Sequence, residues 1–211
     1  MPGKKLLLPA LSLLAIFAAT AFLRFEPATQ AFPEPAASSR AWKFTFTHAK
    51  PRPISFRGDD GLIHWYWYMT YKVVNETGDE RLFIPEFTIA TDAGDIITAG
   101  KNVPAGVFDA VKHDAGVKLL VNPIVATGKL LQGEDNAKES VAIWPVFDHN
   151  VDQVSIFVAG LSGETQTIEN PLTHDPVTMR NTLMIRYSLP GTRGPVQEQA
   201  VVARGEEWVM R

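Results

Sequence analysis

The histidines and acidic residues of this chain are the side chains best suited to acid–base or metal chemistry. No two of the five histidines are four residues apart, and none lies in an HExxH sequence. Neighbouring residues on a strand point to opposite faces, so a histidine next to an aspartate is not by itself a catalytic dyad. Three such pairs occur, at His113 with Asp114, Asp148 with His149, and His174 with Asp175. We predict no catalytic residue and no metal ligand from them, although distant side chains can converge in a fold.

One short segment has the opening spacing of a calcium loop. Asp148, Asn150 and Asp152 place oxygen atoms at every second position, as a hard cation requires. The pattern then fails, because Gln153 replaces the glycine of the sharp turn and Ala159 replaces the bidentate glutamate. The sequence favours a polar turn, with a weak calcium loop as the alternative, and predicts no cofactor.

Residues 160–164 (GLSGE) resemble a nucleophile elbow only in part, because Glu164 stands where the motif needs glycine. A β-turn explains them. A hydrolase would need acids and histidines brought together in a cleft, and two groups are candidates. The first is His64 with Asp59 and Asp60, and the second is Asp148 with His149.

An aromatic run, Trp65-Tyr66-Trp67-Tyr68, offers flat rings to a ligand. Strand alternation puts the two tryptophans on one face and the two tyrosines on the other. Tyr66 and Tyr68 are therefore a candidate binding face for a sugar or a partner protein. The favoured alternative is that the helix at 104–116 or the linker covers them, since exposed aromatic rings are often covered within the same chain.

The elements that must position these residues are mainly strands. Alternating patterns predict a strand from Trp42, a longer strand over 64–75, and a partner strand over 81–91 that returns beside it. The prolines and glycines of 51–61 predict a loop. Residues 104–116 give the one predicted helix, with Pro104 near its start. Further strands are predicted at 96–98, 124–131, 139–147, 153–159, 182–189 and 200–210.

The chain divides into a leader, a linker and a single domain. Residues 1–21 combine two lysines, an apolar core and a small-residue site, which predicts a secretory signal peptide. An uncleaved anchor over residues 6–23 is the alternative, and it is the only membrane contact expected. Residues 22–40 read as a proline- and alanine-rich linker, and 41–211 as one β-sandwich domain. We expect a protein exported to the periplasm or the extracellular space.

Charge and cysteine content exclude several function classes. The formal net charge is −3, and loss of the leader removes Lys4 and Lys5 and makes it more negative. An acidic exported domain lacks the basic footprint that nucleic acid requires. The chain has no cysteine, which excludes disulfides, thiol nucleophiles and cysteine-bound metals.

The segment YKVVNETGDERLFIPEFTIATDAGD resembles a hairpin of exported bacterial immunoglobulin-like domains. The segments GKLLQGEDNAKESVAIWP and FVAGLSGE and the ending EEWVMR are similar to uncharacterised exported bacterial proteins of the same layout. The resemblance covers most of residues 42–211. It implies an antiparallel immunoglobulin-like β-sandwich and export, and it implies no activity.

Together these observations predict a non-enzymatic accessory or binding module of the cell envelope. Its partner would be an envelope protein or a polysaccharide. The alternatives are a hydrolase acting on an envelope polymer and a carbohydrate-binding module that uses Tyr66 and Tyr68.

Overall fold

The computed structural model describes residues 42–147, 151–189 and 201–211. Within them the chain forms two main antiparallel sheets, a short two-stranded ladder and two α-helices, so the protein is mainly β as predicted. The predicted leader 1–21 and linker 22–40 lie outside the described residues. In the part of the chain that is described, neither helix is long and apolar enough to cross a membrane.

The bounds of the elements follow the chain in order. The strands are β1 (Thr45–His48), β2 (Arg52–Arg57), β3 (Ile63–Val74), β4 (Arg81–Phe83), β5 (Glu86–Thr91), β6 (Ile96–Thr98), β7 (Gly128–Leu130), β8 (Lys138–Pro145), β9 (Gln153–Ala159), β10 (Thr165–Glu169), β11 (Pro176–Ser188) and β12 (Val202–Met210). The helices are α1 (Ala105–Ala115) and α2 (Pro123–Ala126), and a 3-10 turn covers Glu134–Asn136.

The first sheet is built around β3, the strand that the aromatic run predicts. β8 pairs with residues 66–73 of β3 on one side. On the other side β1 pairs with residues 71–74 and β2 with residues 63–68. The loop predicted over 51–61 is thus wrong in part, because β2 is a strand that includes Pro53. Among the described strands β2 pairs only with β3, and an edge strand tolerates a residue that has no N–H to donate.

The second sheet has the strand order β6–β5–β9–β11, and β11 is long enough to carry two further partners. β12 pairs with residues 181–188 of β11, and β10 pairs with residues 176–180. β4 and β7 form the separate two-stranded ladder.

One apolar core lies between the two sheets. From β3 it takes Trp67, Met69, Tyr71 and Val73, the face that the alternation predicts, while Trp65 at the start of that face remains 39% exposed. The partners of these side chains come from strands of both sheets. They include Phe87, Ile89, Trp144, Val154, Ile156, Val158, Leu183, Ile185 and Tyr187.

The predicted hairpin of β3 with a strand over 81–91 is wrong. The strand is interrupted at Ile84 and Pro85, which divides it into β4 and β5. β4 pairs with β7, whereas β5 pairs with β6 and β9 in the second sheet. Proline offers no ladder donor, and here it stands at the crossing from one pairing to the next. The predicted strand over 124–131 is also wrong in part, because residues 123–126 form α2. β10 and the first half of β11 were not predicted, since their mixed polar residues show no clear alternation.

The predicted helix is confirmed as α1. Val107 and Val111 are its buried residues, one turn apart on the same face. Gly116 ends the helix in the left-handed region, with φ at 63°, where glycine has no Cβ penalty.

Candidate binding cavity

Tyr66 and Tyr68 do not form an open aromatic face. Their rings are 6% and 1% exposed, because α1 packs over this side of the first sheet through Val107 and Val111. The Tyr68 hydroxyl donates to Asp114 on the last turn of α1 at 2.5 Å. This burial corrects the prediction that Tyr66 and Tyr68 form an open binding face. The helix covers these rings, as the favoured alternative expects.

One of the predicted histidine–acid groups comes together in the turn between β2 and β3. His64 Nε2 lies 2.8 Å from Asp60 Oδ2, and the Leu62 backbone N–H donates to Asp60 Oδ1 at 3.0 Å. The Leu62 N–H first, and then His64, hold the pKa of Asp60 below its usual range. Both side chains are about half exposed. Because Asp60 accepts hydrogen bonds from two groups of its own turn, we assign the pair a structural role.

The second group and the calcium segment fall largely outside the described residues. Asp148, His149 and Asn150 are not described, whereas Asp152 is described and exposed. The N–H of Asp152 donates to the Asp92 carboxylate at 3.2 Å, which joins two turns. Among the described residues, no three histidine or acidic side chains are arranged to hold a metal ion.

The GLSGE segment is a turn, as predicted. The Ser162 hydroxyl accepts the backbone N–H of Glu164 at 3.1 Å and is used within its own turn. Gly160 has φ at 83°, and a Cβ on it would lie 2.3 Å from the Ile84 carbonyl oxygen. Glycine is needed here for backbone packing.

The sequence did not reveal a contact of His48 with Tyr187 and Glu206. Its Nδ1 lies 3.2 Å from the Tyr187 hydroxyl, and its Nε2 lies 3.2 Å from a Glu206 carboxylate oxygen. Desolvation by burial, together with the charge of Glu206, raises the pKa of Tyr187 to about 12. A nucleophile triad has an accessible nucleophile and a buried acid, but here the phenol is buried and the carboxylate is exposed. The chain of contacts ties β1 to β11 and β12.

A cavity of about 390 Å³ lies beside the free edge of β8. That volume is within the usual range of ligand sites, roughly 300–1,000 Å³. The starts of α1, α2 and β5 and the end of β6 line it. Most of its wall is apolar. The apolar lining includes Pro85, Phe87, Ala99, Val103, Phe108, Pro123, Ile124, Val141 and Ile143.

The edge of β8 supplies main-chain groups to this cavity. The Ile143 carbonyl accepts the Gly100 N–H at 2.8 Å, and the Glu139 carbonyl accepts the Val121 N–H at 2.9 Å. Main-chain groups of every second residue on a strand point to the same side. The N–H and C=O of Val141, midway between Glu139 and Ile143, therefore point away from β3 as the carbonyls of those two residues do. No hydrogen bond among the described residues uses either group. Val141 is 1% exposed, so a ligand reaches this donor and this acceptor only from inside the cavity.

Few side chains give the cavity polarity. Glu86, Thr98, Asn122 and Thr127 line it, as does the buried Tyr71, whose pKa burial raises to about 12. The Asn122 side-chain oxygen already accepts the Ile124 N–H at the start of α2. Ile124 itself is 83% exposed although it lines the cavity, so the opening has an apolar rim. The arrangement suits binding of an apolar group and offers no acid–base pair.

Sequence reasoning missed the cavity because its walls come from five separated segments. Only the start of α2, in the segment NPIVAT at 122–127, carries a signal, since Asn before Pro marks a helix start. In comparisons with known proteins, no family model, no curated protein and no solved structure matches this chain.

Proposed function

We propose that this protein is a non-enzymatic binding module of the cell envelope that holds an extended segment of a partner protein at the cavity beside β8. An apolar side chain of that segment would enter the cavity. Its main chain would pair with Val141. Addition of a strand to a free sheet edge combines main-chain affinity with side-chain selectivity.

The observation that carries this proposal is the combination of an apolar cavity with unused main-chain groups on the same strand. An apolar cavity alone would suit many small molecules. The N–H and C=O of Val141 lie between two carbonyls that already accept hydrogen bonds, those of Glu139 and Ile143. A donor and an acceptor on one residue favour a peptide ligand, which can pair with both. The exposed Ile124 adds apolar contact at the rim.

The finer description of the fold belongs to the same proposal. Two antiparallel sheets that share a core support an immunoglobulin-like sandwich. The apolar leader supports export to the periplasm or the extracellular space, with residues 1–21 removed or residues 6–23 retained as an anchor.

The hydrolase alternative gains no support from the described residues. The contact of His64 with Asp60 lies in an exposed turn. At His48 the phenol of Tyr187 is buried and the carboxylate of Glu206 is exposed, which is the opposite of a catalytic triad. The carbohydrate-binding alternative needs Tyr66 and Tyr68 to be exposed, but α1 packs over both rings.

The proposal is tested by purifying the tagged full-length protein from native envelope fractions and identifying bound proteins by mass spectrometry. Ala99→Trp would fill the cavity, and Ala93→Trp places the same side chain in an exposed turn outside it. We expect a stoichiometric partner with the native chain and Ala93→Trp, and its loss with Ala99→Trp.

A second measurement keeps the test specific to the edge of β8. Bound partner should slow hydrogen exchange of the Val141 amide at least tenfold, because the N–H becomes a ladder donor. Retention of the partner by a folded Ala99→Trp protein would refute the proposed site. Equal exchange of Val141 with and without partner would refute strand pairing. The same mass spectra report the mature N-terminus.

A further inference from the structure

A second concave surface lies on the opposite side of the molecule from α1, on the outer face of the second sheet. Its volume is about 420 Å³, and it is lined mainly by polar atoms. Thr178, Arg180 and Thr182 alternate along β11 and point to this face, away from the core. Thr88 on β5 is paired with Phe157 on β9, and both lie on the same face.

Two arginines meet at one edge of this surface. The backbone N–H of Arg180 donates to the main-chain oxygen of Arg211 at 2.7 Å, and the backbone N–H of Arg211 donates to the Arg180 carbonyl at 3.1 Å. Residues that exchange both bonds stand directly opposite each other, and their side chains share a face. Like charges in such positions repel. Neither guanidinium is in any ion pair among the described residues, so an anion between them would relieve the repulsion.

The guanidinium of Arg211 has a fixed place on the floor of the concavity. Its carbon lies 4.2 Å from the centre of the Phe157 ring, which stabilises the cation over the ring face. Arginine binds a carboxylate through two parallel N–H bonds, and two neighbouring arginines can share one. The charge and geometry of this edge suit a carboxylate.

The other polar side chains that line the concavity suit a ligand that also carries hydroxyl groups. The exposed Thr178 hydroxyl lies 3.4 Å from the Thr167 hydroxyl and can still make a further hydrogen bond. Thr88 also lines the concavity but is 6% exposed, so its hydroxyl reaches a ligand only at the floor. Glu86 lines the opposite side of the concavity, and an ionised carboxylate only accepts. Glu86 repels a simple anion but accepts bonds from hydroxyl groups. A fitting ligand therefore carries one carboxylate and several hydroxyls.

We propose that this concavity binds an acidic sugar, a uronate unit, with its carboxylate between Arg180 and Arg211 and its hydroxyls toward Glu86 and the threonines. This site is separate from the β8 edge, although Glu86 also lines the cavity there. The two sites are tested with different variants, so failure of one leaves the other standing.

The test is ligand-observed NMR titration of the full chain with D-glucuronate, D-glucose, inorganic phosphate and glycine. We expect saturable binding of glucuronate and at least tenfold weaker binding of the other three. Arg180→Gln and Arg211→Gln should each weaken glucuronate binding at least tenfold. Thr178→Val, which keeps the charge, should weaken it about threefold through loss of a hydroxyl.

Arg186→Gln is the matched control. Arg186 lies on the same strand and points to the same face, but it lies outside the concavity and pairs with Glu207 at 2.8 Å. Its removal should change the affinity less than twofold. The proposal is overturned if glucose binds as well as glucuronate, if phosphate or glycine binds equally well, if Arg186→Gln weakens binding as much as Arg180→Gln, or if glucuronate does not bind.

Discussion

The outer faces of the two sheets differ in what covers them. On the first sheet, Tyr66, Tyr68, Val141 and Ile143 form an apolar layer that α1 buries with Val107 and Val111. On the second sheet, a small apolar cluster of Phe157, Met184 and Val209 is buried among the described residues, and Thr88 and Thr182 beside it are buried as well. Thr178, Arg180 and Arg211 remain exposed there. One face is buried under a helix, and the other carries an exposed polar concavity.

The difference shows that residue type alone is a poor guide to a binding face in this fold. Aromatic rings, which look like a ligand platform, occupy the face that the helix covers. The open face has residues that read as ordinary solvent-facing strand positions. Covering an apolar layer removes it from water, whereas covering the arginines would desolvate charge, so the helix packs on the first sheet.

The largest expected effect comes from placing a charge under the helix. Val111→Asp puts an unpaired carboxylate between α1 and the first sheet, where Val111 is fully buried, and should lower the free energy of unfolding by about 3–5 kcal/mol. Lys112→Asp puts the same residue at the next, exposed position and should cost about 0.5 kcal/mol. Urea unfolding measures both. Equal losses would mean that α1 is not packed on this face.

Alkaline pH should weaken the core beside the covered face. Burial raises the pKa of Tyr71 to about 12. The folded state thus holds this proton more tightly than the unfolded chain, whose phenol titrates near pH 10. Stability from Tyr71 is complete below pH 10 and falls as pH rises toward 12, by about 2–3 kcal/mol.

Unfolding curves between pH 8 and 12 check this loss. Tyr71→Phe should flatten the decline only in part, since the pKa of Tyr187 is also raised to about 12. An unchanged slope in Tyr71→Phe would contradict the assignment.

A single hydrogen bond under the helix should have a smaller effect. Tyr68→Phe removes the hydroxyl that donates to Asp114 and should cost about 1–2 kcal/mol, since bonds to charged groups exceed neutral ones. Tyr66→Phe is the control, because no hydrogen bond of its hydroxyl appears among the described residues, and it should be nearly neutral. Thermal unfolding distinguishes the two. Similar melting temperatures for both variants would show that the contact with Asp114 adds nothing.

The smallest expected effect lies on the open face and has the opposite sign. Arg180→Gln removes one of two like charges that stand opposite each other, so it should raise stability by about 0.2–0.5 kcal/mol in ligand-free buffer. Arg186→Gln loses its ion pair with Glu207 and should not be stabilising. Precise urea midpoints are the measurement. Destabilisation by Arg180→Gln would argue against repulsion between the arginines.

The parts of the fold that the sequence predicts are those with strong local patterns. β3 and α1 agree with prediction because their apolar residues repeat at the strand and helix periods. The pairing of 81–91 was wrong because a run with Pro85 at its middle reads locally as one strand, while its two halves find different partners. Neither the cavity beside β8 nor the concavity on the second sheet was predicted, since each is assembled from distant segments.

The sequence by itself determined the β-rich class, the core-facing side of β3 and the position of α1, because these depend on periodicity within a few turns or strand pairs. Only the tertiary structure decided that Arg180 and Arg211 stand opposite each other and that Val141 faces a cavity. The physical reason is that these relations join residues far apart along the chain. Their energies come from burial and pairing across elements, which no local pattern records.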